Sequence, residues 1–263
     1  MTDLLPVEVT VWLMNRDIFT PATLEVYWVG VKATLKLVSL SLLFGFIISL
    51  PLSFARASSN SFIRVPVKIY TYIFRGTPLI IQLYLMYYGV VFIDDVKDSW
   101  MWPLVKDPFL PALVAFTLNT VAYTTEIFHG AIANTPRGEV EAARAYGMNT
   151  FLLYRRIIFP SAFRRALPSY GNEVILTLHA SAIASTVTIM DITGAAQFVY
   201  SRFYAPFSAF TFAAVLYLVI TLVLLYIIRK LESRFNPQLR EVRKSRRKMM
   251  FFGNAIQEKR PGA

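Results

Sequence analysis

The sequence predicts an all-α membrane protein with five transmembrane helices, on three observations. Of its 263 residues 56% are hydrophobic and only 16% charged, well below the roughly 25% charge of a soluble domain. Five apolar segments approach or exceed the ~20 residues that a helix needs to cross a bilayer. Lysine and arginine gather at alternate ends of those segments, the distribution that orients membrane helices. The net charge of +11 is therefore no sign of nucleic-acid binding, which needs basic residues on a soluble face beside base-stacking aromatics. Cysteine is absent, which removes disulfides and thiolate metal sites, and no spacing of His, Asp and Glu points to another metal.

The opening "MTDLLPVEVTVWLMNRD" has neither the basic start nor the small-residue cleavage site of a signal peptide, so it is read as part of the mature chain. Spans are expected at roughly 31–54, 77–93, 109–132, 170–190 and 208–228. The second is short. An apolar piece before it, 62–74, forms a helix of its own, against that span or along the membrane surface. "GTP", Gly76 to Pro78, separates the two, with Thr77 as a cap and Pro78 at the first helical position, where no amide hydrogen is required. Lys32 and Lys36, at the outer end of the first span, can snorkel. One set of segments, 56–68, 137–165 and 229–260, holds twenty Lys and Arg, whereas the opposite set holds four. The N-terminal segment 1–29 and the loop "DDVKDSWMWPLVKDP" are thereby placed outside, and the basic tail 232–263 in the cytoplasm beside anionic lipid. No inverted repeat is visible, and five helices hardly enclose a path for a polar solute. A second, similar chain is expected alongside.

Between the third and fourth spans lies "EAARAYGMNTFLLYRRIIFP", Glu141 to Pro160. Pro136 suits a helix start with Thr135 as its cap, and Gly147 suits a stop in the left-handed conformation. Asn149 or Thr150 caps a second helix, which Pro160 ends. Ala142, Ala143 and Ala145 permit close backbone approach, and Glu141 with Arg144 makes an i,i+3 pair of little stabilising weight. These residues fit a helix lying on the membrane surface and equally a docking element for a soluble partner.

The spacing of Glu-Ala-Ala, three residues, Gly, nine residues, Ile, any residue, an apolar residue and Pro resembles the cytoplasmic signature of permease subunits of bacterial ATP-binding-cassette importers. The match falls on Glu141, Ala142, Ala143, Gly147, Ile157 and Pro160, with Phe159 in place of the usual Leu. "FRGTPLIIQL" and "AYTTEIFHGAI" resemble the polar amino-acid branch. His179, "NEVIL" and "AAVLYL" resemble the M-type permeases of importers for histidine, lysine, arginine and ornithine. The resemblance covers roughly 30–231, taken as the transmembrane permease domain. It implies a type I importer permease fold in the bacterial inner membrane, with coupling helices at about 136–160 seated in a groove of an ATPase. It implies a chain that is not an enzyme and binds no cofactor, ATP and Mg belonging to a partner ATPase homodimer. Consistent with this, the chain has no Gly-Lys dipeptide and hence no phosphate-binding loop of the Gly-x-x-x-x-Gly-Lys type. The other implied partners are an extracytoplasmic substrate-binding protein and a second, different permease subunit.

The fourth span, "SYGNEVILTLHASAIASTVTIM", is the most polar. At 100° per residue Glu173, Thr177, Ser181, Ser185 and Thr188 fall within about 120° of one another, with Asn172, His179 and Thr186 on roughly the opposite side. Two polar strips favour burial in the bundle over lipid contact. Small hydroxyls also serve helix packing, whereas ionisable residues such as Glu173 and His179 are site candidates by default. Glu173 has the second reading of favouring the positive end of its helix. The path candidates are Glu173, His179, Asn172, Ser181, Asn119 and Gln82, with Tyr123 and Thr124 adding polarity to the third span. Glu126 is read as a structural salt bridge and Arg75 as an anchor to headgroups or carbonyls. Where this branch commonly has Lys-Asp, the chain has His179 and Ala180, so the resemblance implies that the partner permease supplies an acidic group for a cationic solute.

The expected function is a permease of an ATP-driven importer for a polar, basic amino acid: arginine, ornithine, lysine, histidine or a derived opine. Two alternatives stand beside it. A membrane scaffold would recruit a cytoplasmic protein through the same segment and carry no solute. A stand-alone ion-coupled transporter would titrate Glu173 and Glu126, and its uptake would survive loss of the ATPase.

Overall fold

The computed structural model describes residues 18–235, apart from 91 and 101, and all its regular elements are helical. The basic tail beyond 235 and most of the N-terminal segment lie outside the described residues. The first helix, α1 (Pro21–Arg56), begins where Thr20 accepts a hydrogen bond from the Thr23 amide and Pro21 takes the first turn. The expected boundary at 29/30 therefore falls inside a helix. Asn60 caps α2 (Ser61–Gly76) by accepting from the Phe62 amide. Next come α3 (Leu79–Tyr84), continued by a π turn at Leu85–Gly89, and two short helices, α4 (Asp94–Lys97) and α5 (Trp102–Val105).

The central helix is α6 (Phe109–Ala133), packed against α1, α2, α3 and the later α9. Its many threonines and Asn119 are tolerated because protein, not lipid, surrounds much of it. A Cβ added to Gly45 of α1 would come within 2.6 Å of Thr120 Cγ2, so that glycine sets how closely α1 and α6 approach. The segment after α6 carries α7 (Arg137–Ala145) and α8 (Thr150–Leu153). A π turn at Tyr154–Ile158 then joins α8 to α9 (Phe159–Ala180) without a break. The fourth span continues as a 3₁₀ stretch, Ser181–Val187, turns at the left-handed Thr188, and resumes as α10 (Ile192–Phe203). Left-handed Tyr204 ends α10, and α11 (Pro206–Phe235) completes the fold.

Helices α1 and α11 are long and apolar enough to cross a membrane alone, and residues 150–187 with 192–203 form a third candidate, bent by 47°. Three buried clusters run along the bundle. One joins Tyr27 and Val31 of α1 to α10 and the start of α11. A second surrounds Leu37, Leu83 and Phe116. The third, around Phe128, Ala143, Leu153 and Ala162, ties α7 and α8 to the membrane helices.

Several expected boundaries are corrected. Thr77 caps no helix start: it closes α2, with its hydroxyl donating to Ile73 O, and Pro78 takes the cap position before α3. Pro136 likewise sits at the cap rather than inside α7, while Thr135 donates to Ile132 O and accepts from Arg165. Pro160 does not end the helix begun at Thr150. The π turn before it widens the helix, Phe159 N bonding back to Tyr154 O, so a residue without an amide hydrogen fits the first turn of α9. The fourth span is not one α-helix, and a 100° stripe has no meaning beyond Ala180.

Candidate functional site

Two concave regions lie on the continuous helix from Thr150 to Ala180. The first is a membrane pocket of about 530 Å³ between the α2–α3 break, α6 and α9. Arg75, Thr77, Asn119, Tyr123, Glu173 and Thr177 line it, so one guanidinium and one carboxylate face the same space. Arg75 lies over the Tyr123 ring, 5.3 Å from its centroid, and the Tyr123 hydroxyl reaches Arg75 O at 3.5 Å. Glu173 is only 7% exposed, and the Thr177 hydroxyl donates to its backbone oxygen.

The pocket wall is held by amides behind it. Gln82 is buried, and its Nε2 lies 2.8 Å from both Phe74 O and Thr77 Oγ1 and 3.0 Å from Thr77 O. Asn119 Nδ2 donates to Gln82 Oε1 at 3.1 Å and approaches Phe74 O at 3.3 Å. Carbonyls left open where α2 stops are thereby satisfied, which fixes the Gly76–Pro78 turn. Glu173 and Asn119 thus meet at the pocket, and Gln82 stands behind its wall. Ser181 is fully buried and donates to Leu178 O, away from the pocket. Asn172 and His179 are exposed outside it, and His179 Nε2 lies 3.1 Å from Thr221 Oγ1.

Glu126 accepts from Arg56 Nε at 2.9 Å and from Thr71 at 2.7 Å, with His129 Nδ1 at 3.6 Å. It links α1, α2 and α6 and does not line the pocket. Sequence reasoning assigned Arg75 to anchoring, since nothing in the linear sequence places it opposite Tyr123. It also missed Asp191, which is fully buried, caps α10 by accepting from Gly194 N at 2.6 Å, and leaves Oδ2 without a hydrogen bond. The run Asp191-Ile-Thr-Gly before small apolar residues was the available signal for a helix start.

The second region is a groove of about 510 Å³ between α7 and the π turn, lined among others by Ala142, Ala143, Tyr146, Ile157 and Pro160. Gly147 adopts φ +74, which lets Met148 N bond to Ala143 O and the chain reverse into the Asn149 cap. Ala143 is buried against the third cluster, while Glu141 and Ala142 are exposed. Glu141 and Arg144 make no ion pair with each other. Arg165 braces the groove from beneath, bonding Ser161 Oγ, Thr135 Oγ1 and Ala131 O, and Ser161 also reaches Glu139. Tyr146 and Phe151 remain exposed at 86% and 73%.

With this geometry in view, the comparisons with known proteins agree. Residues 32–237 match the family described as "Binding-protein-dependent transport system inner membrane component". The chain is 48% identical over 207 residues to the histidine/lysine/arginine/ornithine transport system permease protein HisM of Escherichia coli K12, covering 78% of this chain and 87% of that one. It is 43% identical over 212 residues to the nopaline transport system permease protein NocM of Agrobacterium fabrum, covering 80% and 88%. A crystal structure of an amino acid ABC transporter with histidines superposes with TM-score 0.72 at 31% identity, over 80% of this chain and 94% of that one. The inward-facing MetNI methionine transporter shares the fold with TM-score 0.71 at 19% identity, over 83% and 100%. The chain therefore belongs to the inner-membrane permease components of binding-protein-dependent ABC importers, with the all-α fold of type I importer permeases and a transport role rather than a catalytic one.

Proposed function

We propose that the chain is one of two different permease subunits of an importer that carries a basic amino acid, or an opine built from one, across the bacterial inner membrane. The single observation behind the coupling reading is the unbroken helix from Thr150 to Ala180. It carries Ile157 and Pro160 in the cytoplasmic groove and Glu173 and Thr177 on the pocket wall. At 1.5 Å per residue this is a lever of about 45 Å. An ATPase homodimer holding ATP and Mg docks at Glu141, Ala142, Ala143, Gly147, Ile157 and Pro160, and its closure turns the pocket wall. Solute arrives from an extracytoplasmic binding protein.

In this reading the five spans are α1, residues 77–93, α6, the broken α9–α10 span and α11, with the N-terminus outside and the C-terminus in the cytoplasm. Arg75 suits the carboxylate of an amino acid and Glu173 a cationic group, the pairing that charge-assisted hydrogen bonds favour. The relatives named for histidine, lysine, arginine, ornithine and nopaline support that substrate class. Asn172 and His179, exposed on the same helix but outside the pocket, are then available to the second permease.

The test is solute-stimulated ATP hydrolysis by the complete reconstituted complex, with binding protein and a panel of basic amino acids and opines. Stimulation by a basic solute that is lost in Glu141→Lys or Gly147→Asp supports the reading. Stimulation untouched by both variants makes the segment a surface helix, and uptake that persists without the ATPase favours an ion-coupled transporter.

A further inference from the structure

A third concavity, of about 490 Å³, opens between α1, α6, α9 and the Leu231 end of α11. Its wall is Leu42, Phe46, Phe128, Phe163, Tyr170 and Leu231, joined by ring contacts from Phe46 to Phe128 at 5.7 Å and from Phe46 to Tyr170 at 5.4 Å. Beyond it, Gly171 lies so close to α11 that an added Cβ would sit 2.5 Å from Ile228 Cγ2, which closes the groove at that end. At the other end Phe163 meets Phe235 at 5.9 Å, and Lys230 and Arg234, both exposed, lie within a turn of Leu231, with the less exposed Glu232 between them. The chain continues past 235 with eight further Lys and Arg.

We infer that this groove holds one acyl chain of an anionic phospholipid of the cytoplasmic leaflet, with its headgroup at Lys230 and Arg234. The volume falls within the range of small-ligand pockets, and the lining offers an acyl chain dispersion contacts with little polar demand. The rim decides between lipid and protein. A second permease obeying the same positive-inside rule brings more basic residues to that level and is repelled, whereas an anionic headgroup at that level is attracted. The inference rests on the proposed orientation of the chain and is independent of the proposed substrate.

The experiment is tryptophan quenching in the complete complex, reconstituted in phosphatidylcholine vesicles containing brominated phosphatidylglycerol or brominated phosphatidylcholine. Phe163→Trp places the reporter in the groove, Leu42→Trp is the second reporter, and Leu218→Trp on the outer face of α11 reports ordinary boundary lipid. The wild-type signal is subtracted. The expected result is half-quenching of the groove reporters at about fivefold lower mole fraction of the anionic lipid, the equivalent of one basic side chain near an anionic surface. That preference falls in Lys230→Ala/Arg234→Ala and in high salt, and Leu218→Trp shows none. Equal quenching by both lipids at Phe163→Trp overturns the inference in favour of unselective boundary lipid, and no quenching by either means that protein covers the groove. Stimulated ATP hydrolysis by the same vesicles tests the importer reading separately, so either can fail alone.

Discussion

Gly147 stands at φ +74 with open space where a Cβ would go, so its cost of substitution is purely one of backbone conformation. Gly147→Ala is expected to lose about 1–2 kcal/mol locally, and Gly147→Asn to lose less, because Asn tolerates the left-handed region. The readout is the fraction of ATPase that co-purifies with the permease. Glu126 is a different kind of residue, since it satisfies Arg56 and Thr71 on two other helices. Glu126→Ala leaves a half-buried guanidinium without its carboxylate and is expected to cost about 1–3 kcal/mol, seen as a lower melting temperature in detergent. Glu126→Gln keeps the hydroxyl contact and is milder. Both Gly147 and the salt-bridge role of Glu126 were legible in the sequence, because turn chemistry and intramembrane charge leave few options. Arg75 and Asp191 were not. The meaning of Arg75 lies in a ring that approaches from another helix, and Asp191 caps a helix start that the apolar run around it concealed although its local signal was present.

At the scale of elements, the π turn before Pro160 is where local rules and the fold part company. Proline normally ends a helix because its ring meets the carbonyl four residues earlier and its nitrogen donates nothing. Here one extra residue in the turn removes that conflict and lets α8 and α9 act as one rod. Deleting Arg155 is expected to restore the conflict, at about 3 kcal/mol, and to rotate α8 by about 100° relative to α9. Assembly should fall. Adding Pro160→Ala should recover thermal stability, while ATPase co-purification and solute stimulation of ATP hydrolysis stay lost, because the groove still points the wrong way. Apolar length announced the helices themselves, and Asn149 announced its cap. The 3₁₀ stretch and the turn at Thr188 were hidden, since small hydroxyl residues suit an α-helix as well as a tighter one. Ser181, expected on the polar stripe with Glu173, is buried as Glu173 is, with its hydroxyl donating to Leu178 O.

On the scale of the whole molecule, charge placement and packing have separate roles. In the proposed orientation the basic ends face the cytoplasm, while close contacts such as Gly45 against Thr120 set the spacing of the bundle. Gly45→Leu is expected to push α1 from α6 and cost about 1–3 kcal/mol by overpacking, measured as loss of thermal stability of the purified complex. Glu173→Gln should leave stability nearly intact but weaken stimulation by cationic solutes about tenfold or more, the scale of one charged hydrogen bond. A neutral solute, if stimulatory at all, should be spared. The family was legible from a spaced cytoplasmic signature. The pocket was not, because Arg75, Asn119 and Glu173 come from three separate segments that only the packing of α2, α6 and α9 brings together.

In the proposed coupling, the bend at Thr188 divides the machine into a rotor and a stator. Torque from a docked ATPase is then expected to run up the rod to Ala180 and to be dissipated in the 3₁₀ stretch and the turn. The block in which α10 is wedged against Gly30 of α1 is expected to stay still through the cycle. Because the chain contains no cysteine, any introduced pair is unique. A thiol cross-link fastening α1 to α10 should therefore be silent in turnover, while one fastening α6 to α9 should stall it.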